Sequence, residues 1–331
     1  MNTSSLGGDP AWGYGLWVYE ESFSNFTLEN VVATGNTNDG LYISTTGTVI
    51  LKNVAAYSNG KSGLRISGDE GDMVPSARSV AITNSAFFNH PTDNLIILAL
   101  GSITLTNVNA YASTTGNGAY LDNSTSLLPA PVTISNGVFS NNEGAGLMVY
   151  SKGNITLNTI TASTNNSFGV YLDNFTFAGA TGGITMLATY GINTIHSNGT
   201  VDEDGLQINT ARNIILNKLN VSSSTGDGIN IENAGLTTNL LLNDVSSWEN
   251  DGKGIYAGVG GTIVWNRGGA WYNGQDSLQE GGGAELQNTF SGLPRNVTLK
   301  DVLFDDNQGG EWPGSDLPGF GNDLQHPCQQ Q

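Results

Sequence analysis

A single cysteine, Cys328, stands in 331 residues, so no disulfide can form within the chain. Basic residues are also scarce: Lys plus Arg number 11 against 29 Asp plus Glu, a formal net charge of −18. A surface of that sign repels phosphate backbones and anionic bilayers, so no nucleic acid partner is expected. No apolar run is long enough to span a bilayer, and no membrane insertion is expected. The opening MNTSSLGGDP lacks the basic and apolar regions of a secretion signal. The expectation is that a signal was removed, or that the chain is a segment of a larger exported protein. Charged residues make up only 12%, while Gly numbers 45, with frequent Asn, Ser and Thr. This is a turn-rich β composition, without the Ala/Glu/Lys/Leu bias of helical chains.

What is present is a repeat. Apolar triplets begin at Phe26, Val49, Val80, Ile103, Val132 and Ile155, then at Ile214, Leu240, Ile263 and Val297. The units read alike: GSITLTNVNAYASTTGNGAYLDNS at 101–124 has its counterpart in GNITLNTITASTNNSFGVYLDNF at 153–175. A recurring step of 23 residues, with excess in particular loops, means one structural unit with confined insertions. Apolar residues alternate within a unit (Ile103, Leu105, then Val108, Ala110, then Ala119, Leu121), which predicts short strands with these residues on the buried face. Three such strands cannot form their own core, but stacked units can, each coil pairing in parallel with the next.

The turns carry a pattern of their own. Asn30, Asn53, Asn84, Asn107 and Asn136 fill one slot between the first two strands, where stacking would allow an amide hydrogen-bond ladder. The slot later holds Thr159, Lys218, Asp244, Arg267 and Asp301. Gly precedes the third strand at Gly40, Gly63, Gly118, Gly146, Gly169, Gly205, Gly228 and Gly254. Positive φ or a close backbone approach would account for it.

The Ile-x-Leu-x-Asn-Val-x-Ala … Gly-x-Tyr-Leu pattern resembles the right-handed parallel β-helix of the pectate-lyase-like superfamily. The expected fold is all-β: a right-handed single-stranded parallel β-solenoid of ten to eleven coils over residues 1–308, with an irregular tail at 309–331. The resemblance implies that polysaccharide lies over the sheet containing GAYLD and that loops after it build groove walls. The insertions GDEGDMVPSAR, NSTSLLPAP, NFTFAGATGG and NTFSGLPR follow that strand.

The outward positions of that sheet are the residues between two buried ones: Trp17, Tyr42, Arg65, Ile96, Tyr120, Met148, Tyr171, Gln207, Asn230, Tyr256 and Glu285. The aromatic members would form a stacking platform for sugar rings, and Arg65, Gln207 and Asn230 would add polar contacts. The strand propensity of Tyr and Trp offers a second account of the same residues.

Acids gather in NGTVDEDGLQIN and STGDGINIEN, where Asp204 and Asp227 both precede the corner glycine, 23 residues apart. Stacking would bring them to about one strand spacing, roughly 5 Å, the separation of a retaining-glycosidase pair. His196 nearby would supply proton transfer. Asp202, Asp204 and Asp227 would alternatively hold Ca²⁺, and solvated turn acids are a third reading. The stretch TYGINTIHSNG is similar to the Tyr-Gly-x-Asp-Pro-His string of alginate C5-epimerases, with Asn193 where that family has its acid. The Gly-His-Gly and Arg-Ile-Lys signatures of polygalacturonase-type hydrolases are absent.

Three function classes follow. One is an extracellular or cell-surface module that binds polysaccharide along the aromatic sheet face without catalysis or an obligatory cofactor. The others are a carbohydrate-active enzyme using Asp204 and Asp227, and an adhesin-type spacer. Neighbouring domains of a larger chain, or end-to-end self-association through uncapped coils, complete the expected partners.

Overall fold

The computed structural model describes residues 13–20, 25–68, 74–232, 237–274, 281–288 and 295–308. The acidic residues Asp69, Glu70 and Asp72 and the tail at 309–331 lie outside the described residues. Among the described residues, two parallel sheets of 11 and 12 strands wind together as one solenoid, with each strand hydrogen-bonded to its counterpart in the next coil. The expected triplet starts fall in one register column, from Phe26↔Val49 through Val132↔Ile155 to Ile263↔Val297. Ile184 fills the place in that column between Ile155 and Ile214.

Among the described residues the coils have two strands rather than the expected three, save one whose long strand is interrupted. A short strand such as Ala119–Asp122 is followed by a long one such as Val132–Ser140. The expected first and second strands are the two halves of that long strand. The bend between them is the slot headed by Asn30: φ is 57° there, 53° at Asn107, 56° at Thr159, 46° at Lys218 and 61° at Arg267. A left-handed residue shifts the alternation by one position, so Ile103 and Leu105 before it and Val108 and Ala110 after it all point inward and are fully buried. That conformation costs an L-residue about 1–2 kcal/mol and is least costly for Asn and Asp. Backbone shape therefore explains the slot better than the amide ladder does. The ladder exists only in pieces, Asn53 to Asn30 at 3.0 Å and Asn136 to Asn107 to Asn84 at 3.1 and 2.8 Å.

A second asparagine column, not singled out in the sequence, lies inside the next corner and is buried. Asn142 donates to Asn165 at 2.9 Å, Asn165 to Asn198 at 2.8 Å, Asn250 to Asn273 at 2.8 Å and Asn273 to Asn307 at 3.0 Å. These amides lie directly against the corner glycines. The glycines adopt no positive φ; close approach is the reason for them. A Cβ on Gly146 would stand 2.6 Å from Asn165 Nδ2 and 2.6 Å from the Gly169 carbonyl oxygen.

One interruption shows how the column tolerates change. His90 replaces the asparagine, and in the same coil Asn94 replaces the glycine. Asn59 donates to His90 Nε2 at 3.1 Å, so the ring carries its proton on Nδ1 and donates to Asn94 Oδ1 at 2.7 Å. Asn94 then reaches past the small Ser113 to Asn142 at 3.0 Å. Burial holds the imidazole pKa down to about 4, in keeping with a neutral, structural histidine.

The long strand is broken once among the described residues, into Ile184–Leu187 and Asn193–His196. Asn193 is buried and ties the break together: it accepts from the Ile160 N–H at 3.0 Å and donates to Leu187 O at 2.7 Å. Its place in the epimerase-like string is thus structural.

Crowding at the glycine corner has a direct consequence. Gly146→Ala is expected to lower stability by about 2 kcal/mol, the scale of overpacking in a tight interior. A fall in the urea-denaturation midpoint would show it; an unchanged midpoint would mean the corner has slack.

Candidate functional site

The outward column of the short-strand sheet runs Trp17↔Tyr42↔Arg65↔Ile96↔Tyr120↔Met148↔Tyr171↔Gln207↔Asn230↔Tyr256↔Glu285, in the expected order and register. Accessibility along it is uneven. Trp17 is 53% exposed and stacks on Tyr19, while Tyr42 is 1% exposed beneath the ring of Tyr14 at 5.7 Å. Tyr42 is therefore corrected from ligand-facing to buried. Ile96 is also buried, and Arg65 lies 3.7 Å from Asp39. The continuous stripe is thus a central cluster with two outliers, Trp17 and Tyr256. Tyr256 has the Lys253 ammonium 5.2 Å from its ring centroid.

The central cluster includes a residue that the sequence reading missed. Residues i and i+2 of a strand share a face, so Asp122, Tyr150 and Asp173 form a second outward column beside Tyr120, Met148 and Tyr171. Tyr150 sits between the two aspartates in register. Its ring lies 5.4 Å from Tyr120, 5.6 Å from Tyr171 and 6.1 Å edge-on from Phe177. The signal was the Leu-Met-Val-Tyr run itself, whose fourth residue falls on the outer face.

The Leu-Asp-Asn motif that follows the tyrosines closes the wall loops. Asp122 accepts from the Ser124 N–H at 2.7 Å, and Asp173 accepts from the Phe175 N–H at 2.8 Å and the Thr176 hydroxyl at 2.7 Å. Asn123 then clamps Ala130 O at 2.9 Å, and Asn174 clamps Gly182 O at 2.7 Å. The insertions at 123–131 and 174–183 therefore leave the ends of the Tyr120 and Tyr171 strands, one rung to either side of the Tyr150 strand. The first presents Leu127 and Leu128, both strongly exposed, and the second presents Phe175.

Burial and neighbouring groups raise the phenols. Tyr120 is pushed up to about 12, chiefly by desolvation and then by Asp122 and Asp93. Desolvation also raises Tyr150, followed by the adjoining tyrosines and Asp173, and it raises Tyr171, followed by Asp173. All three remain neutral hydroxyls at ordinary pH. They can hydrogen-bond and stack, but none is poised to take a proton as a base. Tyr171 Oη accepts from Asn209 Nδ2 at 3.0 Å, which orients the ring.

The acidic candidates are placed differently. Asp204 is 8% exposed; its Oδ1 accepts from the Asp227 N–H at 2.8 Å and its Oδ2 from Asn230 Nδ2 at 2.9 Å. Asp227 accepts from the Lys253 N–H at 2.6 Å. Asp39 does the same for Ser62 at 2.8 Å, and Asn117 for Ala145 at 2.8 Å. Each of these side chains braces the backbone of the following coil, so Asp204 and Asp227 are turn braces rather than a pair facing a common substrate. Asn230 is correspondingly committed to Asp204. His196 lies in the other sheet, in register with Ser163 and Ser222, and its Nδ1 is 3.1 Å from Ser197 Oγ. Hydrogen bonding joins it to neither aspartate. Among the described residues, no three His, Cys, Asp or Glu side chains gather as a metal site, so Asp202, Asp204 and Asp227 do not form the expected calcium group.

Burial raises the Asp204 pKa to about 7; the Asn230 hydrogen bond opposes that rise and the Asp227 charge adds to it. Its folded value thus exceeds its unfolded one, so the folded state holds the proton longer and stability falls as pH rises from about 4 to about 7. Asp204→Asn keeps the brace, as Asn117 shows, and the Asn230 Oδ1, buried without a hydrogen-bond partner, can receive the new amide if Asn230 turns over. The stability of the native chain relative to Asp204→Asn is therefore expected to decline through that window and then level off. Thermal melts of both proteins across the pH series check it; a flat difference refutes the raised pKa.

The right-handed β-helix family model matches residues 93–292, more than half of the chain. No curated protein and no solved structure is matched. The parallel rungs, the single solenoid and this match agree, and they are consistent with the pectate-lyase-like superfamily. The chain belongs to the right-handed β-helix family.

Proposed function

We propose that the face centred on Tyr120, Tyr150 and Tyr171 binds a neutral polysaccharide, without catalysis, as an extracellular or cell-surface module. One observation carries the reading: three half-buried, neutral tyrosines pack with tilted rings on one sheet face, beside two loops with exposed apolar side chains. Sugars combine apolar ring faces with a rim of hydroxyls, and such a surface offers stacking and hydrogen bonds together. From Tyr120 to Tyr256 the column spans five rung spacings, roughly 24 Å at one strand spacing each, with Gln207 and Asn230 between the aromatic ends. That length suits an extended chain rather than a monosaccharide. The net charge of −18 favours a neutral polymer over an acidic one.

The lack of a poised base among the three tyrosines, and the engagement of Asp204 and Asp227 with backbone, support binding over turnover. A glycan array followed by calorimetry on each hit tests this. Tyr150→Ala is expected to weaken binding by roughly tenfold or more, given about 0.5–1.5 kcal/mol for aromatic pairing on top of lost area. Tyr42→Phe, beneath Tyr14, is expected to leave it unchanged. Affinity should persist in EDTA. Binding indifferent to Tyr150, or product release abolished by Asp204→Asn, would overturn the reading.

A further inference from the structure

Aromatic side chains change columns from rung to rung across the tyrosine face. In the rung Ala119–Asp122, Tyr120 stands in the first outward column and Asp122 in the second. In the next, Leu147–Tyr150, Met148 takes the first column and Tyr150 the second. In Val170–Asp173 the order returns to Tyr171 and then Asp173. The rings therefore step from side to side with a repeat of two rungs, roughly 9.6 Å at one strand spacing each. Centroids 5.4 and 5.6 Å apart keep neighbouring rings together across each step.

The rings do not share a plane. Tyr150 is tilted 42° to Tyr120 and 45° to Tyr171, and Phe177 meets it edge-on at 87°. Leu127, Leu128 and Phe175 are exposed in the loops that leave the two outer strands. Such a surface offers no level platform for a crystalline array of chains and suits one chain at a time.

We propose, resting on the polysaccharide reading of this face, that its ligand is a single β-1,4-linked neutral glycan chain lying along the solenoid axis, one sugar over each of the three rungs. The stereochemistry of the chain selects the linkage. An equatorial β-1,4 linkage gives an extended polymer that advances by close to one strand spacing per residue and turns each sugar over relative to the last. Its hydroxymethyl groups then alternate from side to side with a two-residue repeat. The tyrosines occupy the side that each hydroxymethyl group leaves vacant, and stack on the apolar ring face there. Glucans of β-1,3 or α-1,4 linkage coil instead, and their residues neither keep pace with the rungs nor alternate in this way. Charge selects against a polyuronate of the same linkage. Asp122 and Asp173 flank Tyr150 in its own column, where they repel carboxylates.

Calorimetry of the native chain with cellohexaose, mannohexaose, laminarihexaose and maltohexaose tests the linkage. The two β-1,4 hexaoses are expected to bind at least tenfold more tightly than the β-1,3 and α-1,4 ones. Met148→Tyr combined with Tyr150→Met keeps three tyrosines but sets them in one straight column. That swap should weaken β-1,4 binding by roughly tenfold and erase the linkage preference. Equal binding to all four hexaoses, or glycan-array hits confined to other linkages, overturns the linkage and leaves the polysaccharide reading standing. An array without any neutral hit overturns both. A swapped chain that keeps the native affinity and preference also overturns the proposal, because the alternation then selects nothing. The panel on the native chain needs no substitution, so it decides the linkage even where the swapped chain fails to fold.

Discussion

Everything in this molecule depends on one contact: a glycine corner pressed against the buried amide of an asparagine and a carbonyl from the adjacent coil. The corner lets the backbone turn from the long strand into the short one while coils remain one strand spacing apart. Without it the inward columns could not close, because a single coil has too few apolar residues to exclude water. Burial of those residues supplies most of the stability, at roughly 1.5–3 kcal/mol for each large side chain. The asparagine ladder contributes less per bond, about 1 kcal/mol net, but leaving one amide unmatched inside would cost more than the bond is worth. That asymmetry explains why His90 and Asn94 change together rather than singly.

Left-handed residues are the second constraint. Coil after coil bends its long strand at one such position, and a further series, from Ser58 through Asn89, Asn141 and Thr164 to Asp306, begins the corner. Non-glycine residues there carry strain that is offset only because the bend directs both halves of the strand inward. Asn and Asp lessen that strain, yet Lys218 and Arg267 accept it, with Arg267 gripping Asp244 at 2.6 and 2.8 Å on the surface.

From this frame the tyrosine face follows with little added machinery. Strand geometry puts Tyr120, Tyr150 and Tyr171 on one side, and the Leu-Asp-Asn motif secures the loops beside them. The aspartates of the motif both pin those loops and help to raise the phenols, keeping the tyrosines neutral. The acids of the neighbouring coils serve the stack in another way, bracing successive turns, and their burial draws Asp204 toward neutrality.

The amino-acid sequence by itself determined the period, the parallel stacking, the inward columns and the list of outward positions, because alternation and a constant step are local properties that stacking merely superimposes. Tertiary structure decided the rest. Whether an outward residue meets solvent depends on what covers it, and Tyr14 over Tyr42 is a contact between coils that no alternation encodes. The cluster around Tyr150 joins two columns and a loop, and the closeness of Asp204 to Asp227 proved to be a backbone brace once the direction of each carboxylate was known. Spacing along the chain tells which residues become neighbours; the direction in which each polar atom points, and what already occupies it, emerges only when the coils are packed.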